Sequence, residues 1–138
     1  LVVRGLSSIY ETEPWGYGNQ PLFLNMVCRA ETPMAPEELL LLCQKVERTA
    51  GRRPGFRYGP RALDVDILAY GDLIIDTPQL RIPHVGLYER AFVLVPLVEV
   101  APGWVHPSLG KSATQLLGEI PGVEGVRLWG PPVLGAFE

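Results

Sequence analysis

The chain has 138 residues with 47% hydrophobic and 20% charged side chains, a net charge of −3 and a pI near 5.4. That length fits one domain with its own core, and the composition excludes a disordered chain. The acidic balance argues against bulk nucleic-acid binding, which needs a basic footprint, and no apolar run approaches the roughly 18 residues of a membrane-spanning helix.

Residues 1–11 are rich in β-forming types and read as a strand. The opening Leu1-Val2-Val3 has no initiator Met and no signal-peptide profile, which predicts a trimmed chain or part of a longer reading frame. Residues 12–21, with Pro, Gly and aromatic residues, read as a loop, and 22–31 return to an alternating strand. There Phe23, Asn25 and Val27 share one face, and Leu24, Met26 and Cys28 the other. A ring beside an amide suits a flat, hydrogen-bonding heterocycle, and equally suits a packed Phe next to a locally satisfied Asn.

Residues 36–50 give the clearest helix, with Pro36 at its start, Glu37 and Glu38 in the first turn and Gly51 just past the end. Its predicted core stripe is Leu39, Leu42, Cys43, Val46 and Ala50, bordered by Gln44 and Glu47. Cys28 and Cys43 lack metal-ligand spacing and read as buried, reduced thiols of a cytoplasmic protein. Five of the ten Arg (Arg48, Arg52, Arg53, Arg57, Arg61) fall within residues 48–61. Such a cluster in an acidic chain is either a solvated basic loop or a site for an anion, since guanidinium suits bidentate phosphate contacts.

The cluster runs into Asp64-Val65-Asp66, where Leu63, Val65 and Ile67 alternate with the two acids. In an extended chain both carboxylates project from one face, about 6 to 7 Å apart. That arrangement suits Mg²⁺ shared with substrate phosphates, or an exposed face whose acids merely pair with neighbouring Arg. Tyr70-Gly71-Asp72 is a turn signal, so 62–76 reads as a hairpin. Residues 80–84 are extended and end in His84; the apolar run 91–100 is buried; 112–117 read as a short capped helix and 125–129 as a last strand. No repeat or linker divides the chain, so residues 1–138 are expected to form one domain.

Taken in order, these segments resemble the 6-hydroxymethyl-7,8-dihydropterin pyrophosphokinase family. The matching residues are S-x-Y-E-T-x-P-x-G at 8–16, Gln20-Pro21-x-Phe23-Leu24-Asn25, Gln44-x-x-Glu47 with Gly51-Arg52, and Gly59-Pro60-Arg61-x-Leu63-Asp64-x-Asp66-Ile67-Leu68. They continue with Leu80-x-Ile82-Pro83-His84, Arg90-x-Phe92-Val93-Leu94-x-Pro96-Leu97 and Glu99-x-Ala101-Pro102. The resemblance implies an α+β, ferredoxin-like βαββαβ antiparallel sheet with helices packed on it. It implies transfer of diphosphate from ATP to a pterin alcohol with release of AMP, in folate biosynthesis. By the same resemblance Asp64 and Asp66 hold two Mg²⁺ ions, and Arg52, Arg61 and Asp66 are the catalytic set. Gln44, Glu47, His84 and Arg90 meet nucleotide and phosphates, and backbone around Ile67, Leu80 and Arg81 meets adenine. Phe23 and Phe92 enclose the pterin, Asn25 bonds its edge, Thr12, Glu13 and Trp15 complete the pocket, and Tyr58 lies in the lid. The implied partners are these small molecules, with neither nucleic acid nor membrane, for a monomer or homodimer.

The sequence departs from the family at Pro54, where a second Arg is common, and at Tyr58, where Trp is common, implying a stiffer loop and a smaller lid. Family members also begin with a strand, a Gly-Ser-Asn turn and a helix ahead of Val2-Val3, so about 35 to 40 further residues are expected upstream in the functional protein. Two other readings stay open at this point: a pterin- and nucleotide-binding module impaired by loss of that element, and an unrelated Mg²⁺-nucleotide enzyme sharing only Asp-x-Asp.

Overall fold

A computed structural model describes residues 1–12, 23–51 and 63–132. Glu13, Trp15, Arg52, Tyr58 and Arg61 therefore lie outside the described residues. The described chain is α+β, with antiparallel strand pairing and three α-helices among those residues. Its contacts divide it into two compact units, residues 1–32 with 86–138, and residues 33–85.

In the first unit the two predicted strands each break in the middle. Residues 1–11 become β1 (Val2–Leu6) and β2 (Ile9–Thr12), and residues 22–31 become β3 (Phe23–Asn25) and β4 (Cys28–Glu31). β1 pairs with β4 and β2 with β3, so the four pieces form one antiparallel hairpin with a shared interruption. Ser7 makes that interruption. It is fully buried, its N–H donates to Val27 O at 2.9 Å, and its Oγ accepts from Val27 N at 2.8 Å while donating to Ser8 O. A side-chain oxygen thus takes an amide that a regular ladder would have given to a carbonyl.

The interruption shifts the phase of the strand, so alternation does not carry from Asn25 to Cys28. Cys28 is exposed rather than buried, on a β1–β4 ribbon that is largely exposed along both strands. β7 (Arg127–Gly130) completes a three-stranded sheet in the order β3-β2-β7, pairing Glu11 with Arg127.

The apolar run forms α2 (Ala91–Val100), which buries Leu94, Pro96 and Leu97. It packs on β2 and on α3 (Ala113–Gly118), whose Ala113 and Leu116 are buried. Ser112 caps α3 through a reciprocal box with Gln115, as its sequence predicts.

A polar clamp fastens α2 to the sheet. Glu99 Oε1 accepts from Ser8 N and Ser8 Oγ, both at 2.8 Å, and Oε2 accepts from Tyr10 Oη at 2.6 Å. The Tyr10 phenol is pushed up to about 12, chiefly by this hydrogen bond, then by burial and the nearby charge. For Glu99, desolvation pushes upward, but the bonds from Tyr10 and Ser8 together outweigh it and hold the carboxyl below its usual value.

In the second unit α1 (Pro36–Gly51) runs one residue beyond its predicted end. Leu39, Leu40, Leu42, Cys43, Glu47 and Ala50 are half-buried, while Val46, expected in the core, is 43% exposed. Glu47 is the side chain at that end of the helix that reaches residue 65, so the inward direction passes through Glu47 and leaves Val46 outside it. β5 (Ile75–Asp76) pairs with β6 (Arg81–Ile82), around buried Leu80 and Ile82.

The hairpin expected over 62–76 is thus replaced by one over 75–82. The turn at Tyr70 is present, with Leu73 N donating to Tyr70 O, but 63–70 join no ladder among the described residues. That segment is tied instead by single bonds: Val65 N to Glu47, His84 N to Leu68 O at 2.8 Å, and Tyr70 Oη to Met34 O at 2.5 Å.

Two stability outcomes follow. Ser7→Ala strands the Val27 amide at a buried position and is expected to cost about 1–3 kcal/mol, read as a lowered urea midpoint. Glu99 has a depressed folded pKa, so its stabilisation is complete above the ordinary carboxylate value of 4.5 and is lost as pH falls through the folded value. Tyr10 has a raised one, so its contribution holds below pH 10 and fades as pH rises through about 12. Because the clamp is exposed, Tyr10→Phe is expected to lower stability at pH 7 by only about 1 kcal/mol. Glu99→Gln should flatten the acid limb of a stability–pH curve, and an unchanged limb contradicts the assignment.

Candidate functional site

The residues singled out by their chemistry fall on both units. On the first, Thr12 and Asn25 come together: Asn25 Nδ2 donates to Thr12 Oγ1 over a long 3.4 Å, across the β2–β3 ladder in which Thr12 faces Phe23. Phe23 is 55% exposed on the same strand face as Asn25. Tyr10, opposite Asn25, reaches Glu99 near the end of α2, so the helix covers the sheet face that also carries Thr12, Phe23 and Asn25.

At the other end of α2, Phe92 is 36% exposed, with the Arg90 guanidinium carbon 5.9 Å from its ring centre. Gly86 makes room for that side chain. Its φ of 91° suits glycine, and a Cβ there would lie 3.1 Å from Arg90 Nε.

Thr12, Arg90 and Phe92 line a cleft of about 590 Å³, a size suited to a small ligand. Its opposite wall is residues 121–122 and 124–127, from the turn before β7. Arg127 on that wall pairs with Glu11 at 3.6 Å. Sequence reasoning gave this wall no part in a site, and its signal was only the turn punctuation of Pro121, Gly122 and Gly125. Phe23 and Asn25 do not themselves line this cleft, although Asn25 bonds to a residue that does.

On the second unit, Asp64 and Asp66 are both exposed and flank a half-buried Val65, but Leu63, which alternates with them, is also 42% exposed. The Val65 amide donates to Glu47 Oε2 at 3.0 Å. Cys43, one turn before Glu47, has its thiol raised by burial and then by the Glu47 and Asp66 carboxylates, which places all three in one neighbourhood. Gln44 is exposed on the same helix.

Among the described residues no group of three or more His, Cys, Asp or Glu forms a ready metal cage. A pair of exposed hard oxygen donors nevertheless fits Mg²⁺, which takes few protein carboxylates and fills its remaining positions with water and phosphate oxygens.

His84 adds a second distinctive feature. Its Nδ1 is buried without a hydrogen-bond partner among the described residues, while its backbone N–H is held by Leu68. A buried nitrogen of this kind is costly to leave unsatisfied. The backbone of Leu80, in contrast, is already engaged: its N–H donates to Thr77 Oγ1 and its carbonyl accepts from Thr77, all at 3.0 Å. Arg81 pairs with Asp76 at 3.2 Å, and Ile67 is half-buried beside Asp66 in sequence.

Comparison with known proteins gives this arrangement a family. A family model described as 7,8-dihydro-6-hydroxymethylpterin-pyrophosphokinase (HPPK) matches residues 2–102. The chain is 45% identical over 111 residues to the 2-amino-4-hydroxy-6-hydroxymethyldihydropteridine pyrophosphokinase of Aquifex aeolicus, covering 80% of this chain and 69% of that one. It is 43% identical over 129 residues to the Bacillus subtilis protein of the same name, covering 94% and 72%. Against the folic acid synthesis protein fol1 of Schizosaccharomyces pombe it is 44% identical over 127 residues, 92% of this chain but only 17% of that larger protein. With the match running through the Asp64-Val65-Asp66 segment, the Arg90–Phe92 cleft and the Ser8–Glu99 clamp, the chain belongs to the 7,8-dihydro-6-hydroxymethylpterin-pyrophosphokinase family of enzymes.

Proposed function

We propose that this chain transfers the β,γ-diphosphate of ATP to the hydroxymethyl oxygen of 6-hydroxymethyl-7,8-dihydropterin, releasing AMP, as a step of folate synthesis. The observation that carries the reading is the unbroken family match over residues 2–102, which includes both exposed acids and runs across both compact units. That continuity also favours a single domain over residues 1–138. The long interrupted hairpin followed by α1 agrees with the strand–strand–helix portion of a ferredoxin-like βαββαβ arrangement.

In this reaction the pterin oxygen loses its proton to solvent and bonds to the β-phosphorus as the bridge between the α- and β-phosphates breaks, and AMP leaves with the bridging oxygen. Little covalent work falls to the protein, so its contribution is positioning and electrostatic stabilisation. Asp64 and Asp66 would hold two Mg²⁺ ions, which supply Lewis-acid polarisation and charge screening at the phosphate oxygens. Arg52 and Arg61 would neutralise charge developing on those oxygens, with Arg90 and Gln44 binding the nucleotide. His84 would contact the phosphates. Backbone near Ile67, Leu80 and Arg81 would border the adenine.

Phe92 and Phe23 would stack on the pterin, with Glu13, Trp15 and Tyr58 completing the enclosure. Thr12 orients Asn25 by accepting from its Nδ2, which leaves Oδ1 to accept from an N–H on the pterin edge. Among the described residues no helix is long and apolar enough to cross a membrane.

The experiment is incubation with the pterin alcohol, ATP and Mg²⁺, followed by separation of the nucleotides. AMP equal in amount to the diphosphorylated pterin is expected, and ADP as the nucleotide product contradicts the proposed transfer. Asp66→Ala should unfold within about 1 kcal/mol of the parent, as expected for an exposed side chain, yet lose at least about a hundredfold in turnover. Near-normal turnover by that variant in Mg²⁺ would remove Asp66 from the site.

A further inference from the structure

We infer that Glu47 is a positioning residue whose carboxylate, by accepting the Val65 amide, fixes the direction in which Asp64 and Asp66 project; this rests on the proposed metal-binding role of those two acids. The bond is 3.0 Å long, part-buried, and spans 18 positions of sequence, from the last turns of α1 to the residue between the two acids.

Two other ties of the segment, from His84 N–H to Leu68 O and from Tyr70 Oη to Met34 O, lie further along the chain. Residues 63–70 join no ladder among the described residues, so the Val65 N–H would otherwise need water or a rearranged backbone. Rotation of the peptide that carries this N–H would change the relative direction of the neighbouring side chains. Pinning it therefore sets the carboxylate spacing on which shared coordination depends.

Charge explains why a carboxylate is tolerable here. Glu47 and Asp66 both act on Cys43, so two like charges share one neighbourhood and repel each other. Directing one Glu47 oxygen onto an amide offsets part of that repulsion through a charge-assisted bond. The Cys43 thiol, raised by burial and by Glu47 and Asp66, agrees with this close grouping.

Family resemblance gives Glu47 a direct nucleotide contact, which would use its charge. A positioning role uses its acceptor oxygen, and the two separate experimentally. Glu47→Gln keeps side-chain length and an acceptor but removes the charge; Glu47→Ala removes both. Three measurements apply to the whole chain: exchange of the Val65 amide with deuterium, Mn²⁺ affinity by electron paramagnetic resonance with α,β-methylene-ATP, and initial rates against Mg²⁺ and pterin.

For Glu47→Ala the expected results are faster Val65 exchange, Mn²⁺ affinity weakened about tenfold, a raised Mg²⁺ requirement and a pterin KM changed less than about twofold. Glu47→Gln should restore exchange protection and bring Mn²⁺ affinity to within about threefold of the parent. Glu47→Gln as impaired in Mn²⁺ affinity as Glu47→Ala, or protection of Val65 unchanged in Glu47→Ala, overturns the inference. If Glu47→Ala does not fold, Glu47→Gln decides alone: Mn²⁺ affinity within about threefold of the parent supports the inference, and a loss of about tenfold or more overturns it. Exchange and Mn²⁺ affinity need no turnover, so a parent protein that makes no AMP refutes the proposed reaction without deciding this one.

Discussion

The hydrogen bond from the Val65 amide to Glu47 is the contact on which the proposed chemistry depends, because it joins the best-formed helix of the second unit to the two acids. Helix α1 is defined by local rules: Pro36 at its start, acids in the first turn, and Glu38 accepting from the Ala35 amide. A rigid helix thereby carries a carboxylate to a segment that lacks strand partners of its own among the described residues. The same fact explains why the Asp-bearing segment differs from the expected hairpin. Its backbone groups are met one at a time, by Glu47 and by the His84 amide, and its Tyr70 side chain reaches the Met34 carbonyl, rather than all being met by a neighbouring strand.

A parallel logic operates in the first unit, where polar side chains set the places at which regular structure stops. Ser7 ends one ladder by accepting the Val27 amide, and Glu99 gathers three donors from Ser8 and Tyr10 just beyond it. The apolar core of α2 and α3 supplies non-directional burial through Leu94, Leu97, Ala113 and Leu116. The clamp adds direction, holding the Glu99 end of α2 at Tyr10, with Phe92 at the opposite end. Thr12 and Phe92 line one cleft as part of that arrangement.

Much of this was legible in the sequence because it depends on local chemistry. The α1 start, the Ser112 cap and the final strand follow from residue type and spacing alone, and the ordered motifs from Ser8 to Pro102 identify the family. The strand interruption was not legible, since it turns on a buried Ser7 hydroxyl taking a distant amide, and Ser7 reads like any turn-forming serine. The burial expected for Cys28 fails because the β1–β4 ribbon is largely exposed on both faces. Val46 fails for a related reason: periodicity locates a face but not the direction of its nearest neighbour, and Glu47 faces residue 65. The wall at 121–127 was hidden because residues far apart in sequence line one cleft, with only glycines and a proline to signal it.

The central claim is that Asp64 and Asp66 bind divalent cations together with nucleotide phosphates. Its most direct test is the paramagnetic broadening of assigned backbone amide resonances by Mn²⁺ added with α,β-methylene-ATP. The account predicts that broadening is strongest around residues 64–66 and that Asp64→Asn with Asp66→Asn abolishes it there. Broadening centred elsewhere, or retained at 64–66 in the double variant, would contradict it.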